Sequence, residues 1–140
     1  MLNREGTDQR VFGLLPDPHA RHHILAADGE GAQAVLDLLG RHKTELNGQI
    51  TVVYADTGPA AANFALRLCQ QDIDRVCVMA TLLGTVALLS MMIERAEVGI
   101  RIYAAGSDTL ISLIIQLAAA RGLDPMSVIA ESRCEQAALG

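Results

Sequence analysis

The feature that most constrains this chain is a repeat: short apolar runs return about every 25 residues, and a helical pattern fills each interval. The runs are His23–Ala27, Ile50–Ala55, Val76–Ala80, Ile100–Ala105 and Ser127–Ala130, separated by helical patterns over Ala32–His42, Ala60–Gln71, Leu82–Ala96 and Thr109–Arg121. Strands joined by crossovers of that length run parallel. The runs are near-continuously apolar rather than alternating, which marks strands covered by helices on both faces. The pattern predicts an α/β fold with a five-stranded, doubly wound parallel sheet and right-handed crossovers. A length of 140 residues supports one core. Residues 21–140 read as that single domain and residues 1–20 as a linker-like segment.

The boundaries carry their own chemistry. Asp28 is placed to cap the first helix and Asp108 the fourth, both by the usual preference for short acidic caps. Asn47 and Gly48 form a turn pair before the second strand, and Asp56, Thr57, Gly58 and Pro59 lead into the second helix. Gly122 ends the last helix and Pro125 forbids its continuation.

In a Rossmann-like sheet of this kind, ligands bind beyond the carboxyl ends of the strands, at the point where strand order reverses. The candidate cofactor-binding residues are therefore Ala27, Asp28, Gly29, Glu30, Gly31, Asp56, Thr81, Ala105, Gly106, Ser107 and Asp108. The small residues of Ala27–Gly31 let backbone N–H groups approach a phosphate at a helix N-terminus, although Asp28 and Glu30 put negative charge there. The loop is neither GxGxxG nor the lysine-bearing phosphate loop, which argues against a nucleoside triphosphate. Asp56, at the end of the second strand, can accept from a ribose 2′-hydroxyl and would repel a 2′-phosphate, a preference for NAD(H) over NADP(H). A plain turn or cap role is the competing reading of Asp56, of Asp28 and of Asp108.

Other chemistries find no support. His19, His22 and His23 invite a metal, yet no Asp, Glu or Cys nearby completes a ligand set, so no metal site is assigned and the cluster reads as a surface approach to the first strand. His42 reads as a partner of the first helix's C-terminal dipole. There is no GxSxG elbow and no cysteine beside a base, so no catalytic residue is assigned. Eleven Lys and Arg against sixteen Asp and Glu give a net charge of −5, and aromatic residues are 3% with no Trp, which makes nucleic acid and anionic membranes poor partners.

The uncharged stretch Val76–Ile93 approaches the length of a membrane span. Its β-branched start and its Gly84 predict a buried strand turning into a buried helix instead. The first twenty residues lack the apolar run of a signal peptide. Cys69, Cys77 and Cys134 are an odd number, and they read as buried thiols in a reduced, cytoplasmic setting.

The order of these motifs resembles the nicotinamide-nucleotide domain of ferredoxin–NADP reductase-like flavoproteins. Val11–Leu39 is similar to the family's passage from flavin barrel to nucleotide domain. Ala26–Val35 resembles the AGDETALPAI loop of the siderophore-interacting branch. Ile100–Ser132 is similar to the last strand–helix–strand, with the AG loop at Ala105, Gly106 and Ser107 and a GLDP turn at Gly122–Pro125. The family's GGTGIAP loop is absent, Ala105 stands for the cysteine of its CGP loop, and Ser107 for the proline. The resemblance implies that Ala27–Gly31 would hold the pyrophosphate, Asp56 the adenosine ribose, and Ala105–Asp108 the region near the nicotinamide. It also implies a flavin domain that has no counterpart here, so that no flavin is expected on this chain alone and a separate flavoprotein would complete the system. The reading of another class is a non-catalytic homo-oligomeric scaffold or regulatory module that kept the fold and lost the nucleotide site.

The third helix, Leu82–Ile93, is apolar at nearly every angle, whereas a surface helix shows one polar face. The expectation is a homo-oligomer, a dimer assembled through this helix, with Met91 and Met92 as adaptable contacts.

Overall fold

The computed structural model describes residues 14–57, 63–95 and 99–133. Five strands, β1 (His22–Asp28), β2 (Gln49–Ala55), β3 (Arg75–Met79), β4 (Ile100–Gly106) and β5 (Val128–Ser132), alternate with helices α1 (Gly31–His42), α2 (Phe64–Cys69), α3 (Leu82–Arg95) and α4 (Asp108–Ala120). All four strand pairings are parallel, and the sheet order is β3-β2-β1-β4-β5. The chain therefore winds outward from β1 in one direction, then crosses to β4 and winds in the other.

The predicted strands and helices all form, with ends displaced by one or two residues where both ends are described. The second helix is shorter than the expected Ala60–Gln71: it spans Phe64–Cys69, after Asn63 in the left-handed region at φ +51 and before Gln70 at its C-cap, while Ala60–Ala62 lie outside the described residues, as do Gly58, Pro59, Ala96 and Cys134. The uncharged stretch divides as expected into a strand, β3, and a helix, α3, but the expected burial is not met: β3 lies at the sheet edge with no buried residue, and α3 covers one face of the sheet and buries only Thr85, Leu89 and Ile93. Among the described residues no helix is long and apolar enough to cross a membrane.

Side-chain alternation along each strand feeds two cores. Leu25, Val52, Tyr54 and Tyr103 face Val35 and Leu38 of α1 and Phe64 and Leu68 of α2. Ile24, Val53, Ile102 and Ala104 face Leu89 and Ile93 of α3 and Leu110 and Ile114 of α4. β1 and β4 at the centre are buried on both faces over most of their length, which is why their sequences are near-continuous apolar runs, interrupted in β4 by the half-buried Arg101.

Alternation also splits the histidines. His23 is wholly buried, not at the surface as the sequence suggests, because it faces the α1 side one step before Leu25. Its Nε2–H donates to the Asn47 carbonyl at 2.8 Å, so Nδ1 is left to accept the Tyr103 hydroxyl at 2.9 Å. The Tyr103 oxygen in turn accepts the Asp17 N–H at 3.0 Å. Asp17 pairs with Arg101, which also donates to the Met126 carbonyl. This network fastens Leu14–Ala20 to the sheet, with Leu14 and Ala20 buried. His22 points to the other face and meets the Thr51 hydroxyl oxygen at 3.2 Å, while His19 is exposed. Among the described residues no cluster of three or more His, Cys, Asp or Glu could hold a metal.

The cysteines also depart from expectation. Cys69 is exposed and Cys77 half-buried, because Cys69 is the last residue of α2, where Leu68 already takes the inward position.

Candidate functional site

The strand order reverses between β1 and β4, and both strands leave that point through a short loop into a helix. Gly29 and Glu30 connect β1 to α1, and Ser107 connects β4 to α4. The amino ends of α1 and α4 therefore open on one crevice at the carboxyl edge of the sheet, where a doubly wound fold binds its ligands.

Two glycines bring these loops together. A Cβ on Gly31 would collide with the backbone of Ala105 and Gly106, so the first turn of α1 lies directly against the end of β4. Gly106 has φ +136, and a Cβ there would strike the carboxylate and backbone of Asp28. Gly29, with φ +51, has open space where its side chain would stand. The loop thus divides its work: Gly31 serves close helix–strand packing, and Gly29 makes the turn and leaves the backbone approachable.

Asp28 does not cap α1, whose N-cap position, Glu30, makes no side-chain cap bond. Its carboxylate crosses to the neighbouring loop instead. Oδ1 accepts the Ser107 N–H at 2.7 Å and Oδ2 accepts the Ser107 hydroxyl at 2.6 Å. Ser107, not Asp108, is the cap of α4, its Oγ accepting the Leu110 N–H at 3.1 Å. The reason is geometric: the tight Gly31 and Gly106 packing sets the end of β1 beside the start of α4, and a buried carboxylate takes the nearest donors. Asp108 begins the helix one residue later and accepts the Ser132 hydroxyl at 2.8 Å.

Tyr54, which the sequence did not single out, supports the crevice from below. It is the penultimate residue of β2, buried, and its hydroxyl donates to the Gly29 carbonyl at 3.2 Å. Burial, with the nearby Asp56, Asp28 and Glu30 carboxylates, pushes its hydroxyl up to about 12, so it remains a donor at any physiological pH. An aromatic residue near a strand end, one βα unit after a glycine loop, was the available signal.

The other candidates distribute around this centre. Ala27 and Ala105 are paired in register inside the sheet and wholly buried, so they offer the strand ends rather than side chains. Glu30 is exposed at the crevice. Asp56 follows β2 and is exposed, with its N–H donating to the Met79 carbonyl at 2.8 Å. Thr81 stands apart, beyond β3 and two strands from β1, where its hydroxyl accepts the Gly84 N–H at 2.9 Å as a cap of α3.

Solved structures share this architecture. An intact type IV self-sufficient cytochrome P450 monooxygenase superposes with a TM-score of 0.62 at 22% identity, covering 83% of this chain and 15% of that one. A ferredoxin reductase in carbazole 1,9a-dioxygenase, in its FAD apo form, gives 0.57 at 14%, covering 80% and 32%. Ferredoxin–NADP+ reductase from Plasmodium falciparum with 2′P-AMP gives 0.51 at 12%, covering 80% and 52%. The chain spans well under two thirds of each, and at these identities the shared property is a ferredoxin reductase-like fold. No curated protein matches. Residues 11–128 match the family described as dimethylamine monooxygenase subunit DmmA-like, N-terminal domain, and the chain belongs to that family.

Proposed function

We propose that this domain, residues 21–140, is the nicotinamide-nucleotide-binding module of a flavin-dependent oxidoreductase system, working with a separate flavoprotein partner. The observation that carries the reading is the switch-point crevice, where the amino ends of α1 and α4 meet over the open backbone of Gly29. Membership of a monooxygenase-subunit family supports the oxidoreductase setting. The likeness of Ala26–Val35 to the siderophore-interacting branch enters as a likeness of loop sequence.

The residues take simple roles. Asp28, Gly29, Glu30 and Gly31, with Ala27 at the strand end, shape the turn that receives the pyrophosphate. Asp56 accepts from the adenosine ribose, and Ala105, Gly106, Ser107 and Asp108 border the nicotinamide end, with Thr81 at the periphery. A bound nicotinamide would supply hydride to a flavin held by the partner. The same reading sets the protein in the cytoplasm, where the exposed Cys69 thiol stays reduced.

Calorimetric titration tests it. NADH binds the unmodified protein, NADPH binds about tenfold more weakly, and Asp56→Ala removes the difference. NADPH binding equal to or tighter than NADH would remove the role given to Asp56. Stoichiometric FAD on the purified chain, or steady NADH oxidation without a partner, would overturn the division of labour.

A second reading, a homo-oligomeric scaffold or regulatory module that lost the nucleotide site, is favoured by one observation. The Asp28 carboxylate, already engaged by both Ser107 donors, places negative charge where a pyrophosphate would lie. Binding of neither cofactor selects it. Its dimer would use the outer side of α3, where Leu83 is 79% exposed and Met91 48%. Leu89 and Ile93 face the sheet and are unavailable. Light scattering should find a dimer that Leu83→Glu dissociates, whereas a monomer at micromolar concentration removes the interface.

A further inference from the structure

A second concavity lies at the opposite, amino edge of the sheet, on the α3 face. It has a volume of about 890 Å³ and is walled by the starts of β1, β2 and β3 and the last turns of α3. Three arginines from three different elements border it: Arg21 just before β1, Arg75 opening β3, and Arg95 ending α3. Its apolar side is made by Leu88, Met91 and Met92.

The charge is unusual for this molecule. The other described basic side chains, Arg41 apart, are engaged: Lys43, Arg101, Arg121 and Arg133 in ion pairs, and Arg67 over the Phe64 ring. Arg21, Arg75 and Arg95 are exposed and form no ion pair among the described residues. Asp74 is the acidic residue in the groove, and its Oδ2 accepts the Ile50 N–H at 2.7 Å. A chain of net charge −5 thus gathers, along one amphipathic groove, three guanidinium groups that have no ion-pair partner among the described residues.

We propose that this groove docks an acidic, amphipathic segment of a partner protein, carboxylates on the arginines and aliphatic side chains on Leu88, Met91 and Met92. Charge complementarity selects the sign, since guanidinium forks recognise carboxylates in pairs. The methionine wall selects an amphipathic peptide over a small polar anion, because polarizable, unbranched side chains adapt to apolar partners. Helix-in-groove recognition needs this combination of apolar anchors and flanking charge. The inference is independent of whether the carboxyl-edge crevice takes a nucleotide.

The test is fluorescence anisotropy with a labelled amphipathic helical peptide, glutamate on one face and leucine on the other, against a poly-glutamate peptide of equal length. The amphipathic peptide should bind saturably, and Arg75→Glu combined with Arg95→Glu should weaken it about tenfold or more, as should high salt. Met91→Gln, which removes the apolar contact without adding charge, should weaken it severalfold at unchanged salt dependence. The neutral pair Arg75→Gln and Arg95→Gln should fall between, with thermal melts by circular dichroism confirming folded protein. Absence of saturable binding, or binding untouched by the arginine variants, overturns the proposal. Equal affinity for poly-glutamate, or displacement by inorganic pyrophosphate at matching concentration, makes the groove a plain anion site and also overturns it. A change in particle mass with the arginine variants alone assigns the groove to a second copy of this chain and likewise overturns the proposal. NADH titration of the same variants should be unchanged, which separates this proposal from the cofactor reading.

Discussion

The two edges of the sheet differ in how their charged groups are used. At the carboxyl edge Asp28 is 6% exposed and spends both oxygens on Ser107, Tyr54 holds the Gly29 carbonyl, and two glycines draw β1, α1 and β4 into backbone contact. At the amino edge, on the α3 face, Arg21, Arg75 and Arg95 stand exposed around an open groove. The first edge is built by internal bonding, so its charges are part of the fold's stability. The second keeps its charges for whatever approaches.

The contrast can be broken most severely at the glycines. Gly106→Ala and Gly31→Ala should each cost about 3 kcal/mol or more in urea unfolding, since backbone, not a flexible side chain, must give way. Gly29→Ala, with φ +51 but open space, should cost only about 1 kcal/mol. If all three cost the same, the close packing of α1 on β4 is wrong.

Asp28→Asn comes next. It should destabilise by about 2 kcal/mol, because one charge-assisted acceptor is exchanged for an amide that cannot serve both Ser107 donors. Loss below about 0.5 kcal/mol would mean that the clasp is not part of the fold's stability.

A third measurement addresses the amino half of the sheet on its other face. Burial holds the His23 imidazole below its ordinary 6.5, outweighing the Asn47 bond and the Asp17 carboxylate, which favour the charged form. Burial likewise lowers His22. The unfolded chain therefore binds more protons just below pH 6.5 than the folded one does. Stability should be complete above that pH and fall as pH drops through it toward the lowered folded values. His23→Gln should reduce the slope of stability against pH in that window. An unchanged slope would place the titration elsewhere.

The smallest effect belongs to the groove. Arg75→Gln with Arg95→Gln should change unfolding stability by less than about 0.5 kcal/mol, as exposed unpaired charges do. A larger loss would show that these arginines, like Asp28, serve the fold.

How much of this was legible in the sequence depends on the range of the interaction. The strands and helices were readable because each is specified by its own apolar pattern and flanking turn residues, for example Gly122 and Pro125 closing α4. Their bounds moved by a residue or two where ladder bonds extend past the apolar run, as at Gln49 and Gly106. The candidate loops were legible as far as fold class fixes where ligands bind. Which carboxylate does what was not. Asp28 and Asp108 have the same local preference for capping, and only the crossing from β1 to β4 sends Asp28 to Ser107 and leaves Ser107 as the cap of α4.

His23 was hidden for the same reason. The residues before it, Arg21 and His22, are charged and polar, and its partners Tyr103 and Asn47 are 80 and 24 residues away. The amphipathic groove draws Arg21, Arg75 and Arg95 from segments separated by whole βα units. The sequence by itself determined the parallel, doubly wound architecture, since periodicity and turn chemistry act within a few residues. The tertiary structure alone decided which buried polar groups meet and which arginines share a groove. Those partners are chosen by strand order and side-chain alternation across the sheet, and neither is written in any local stretch of the chain.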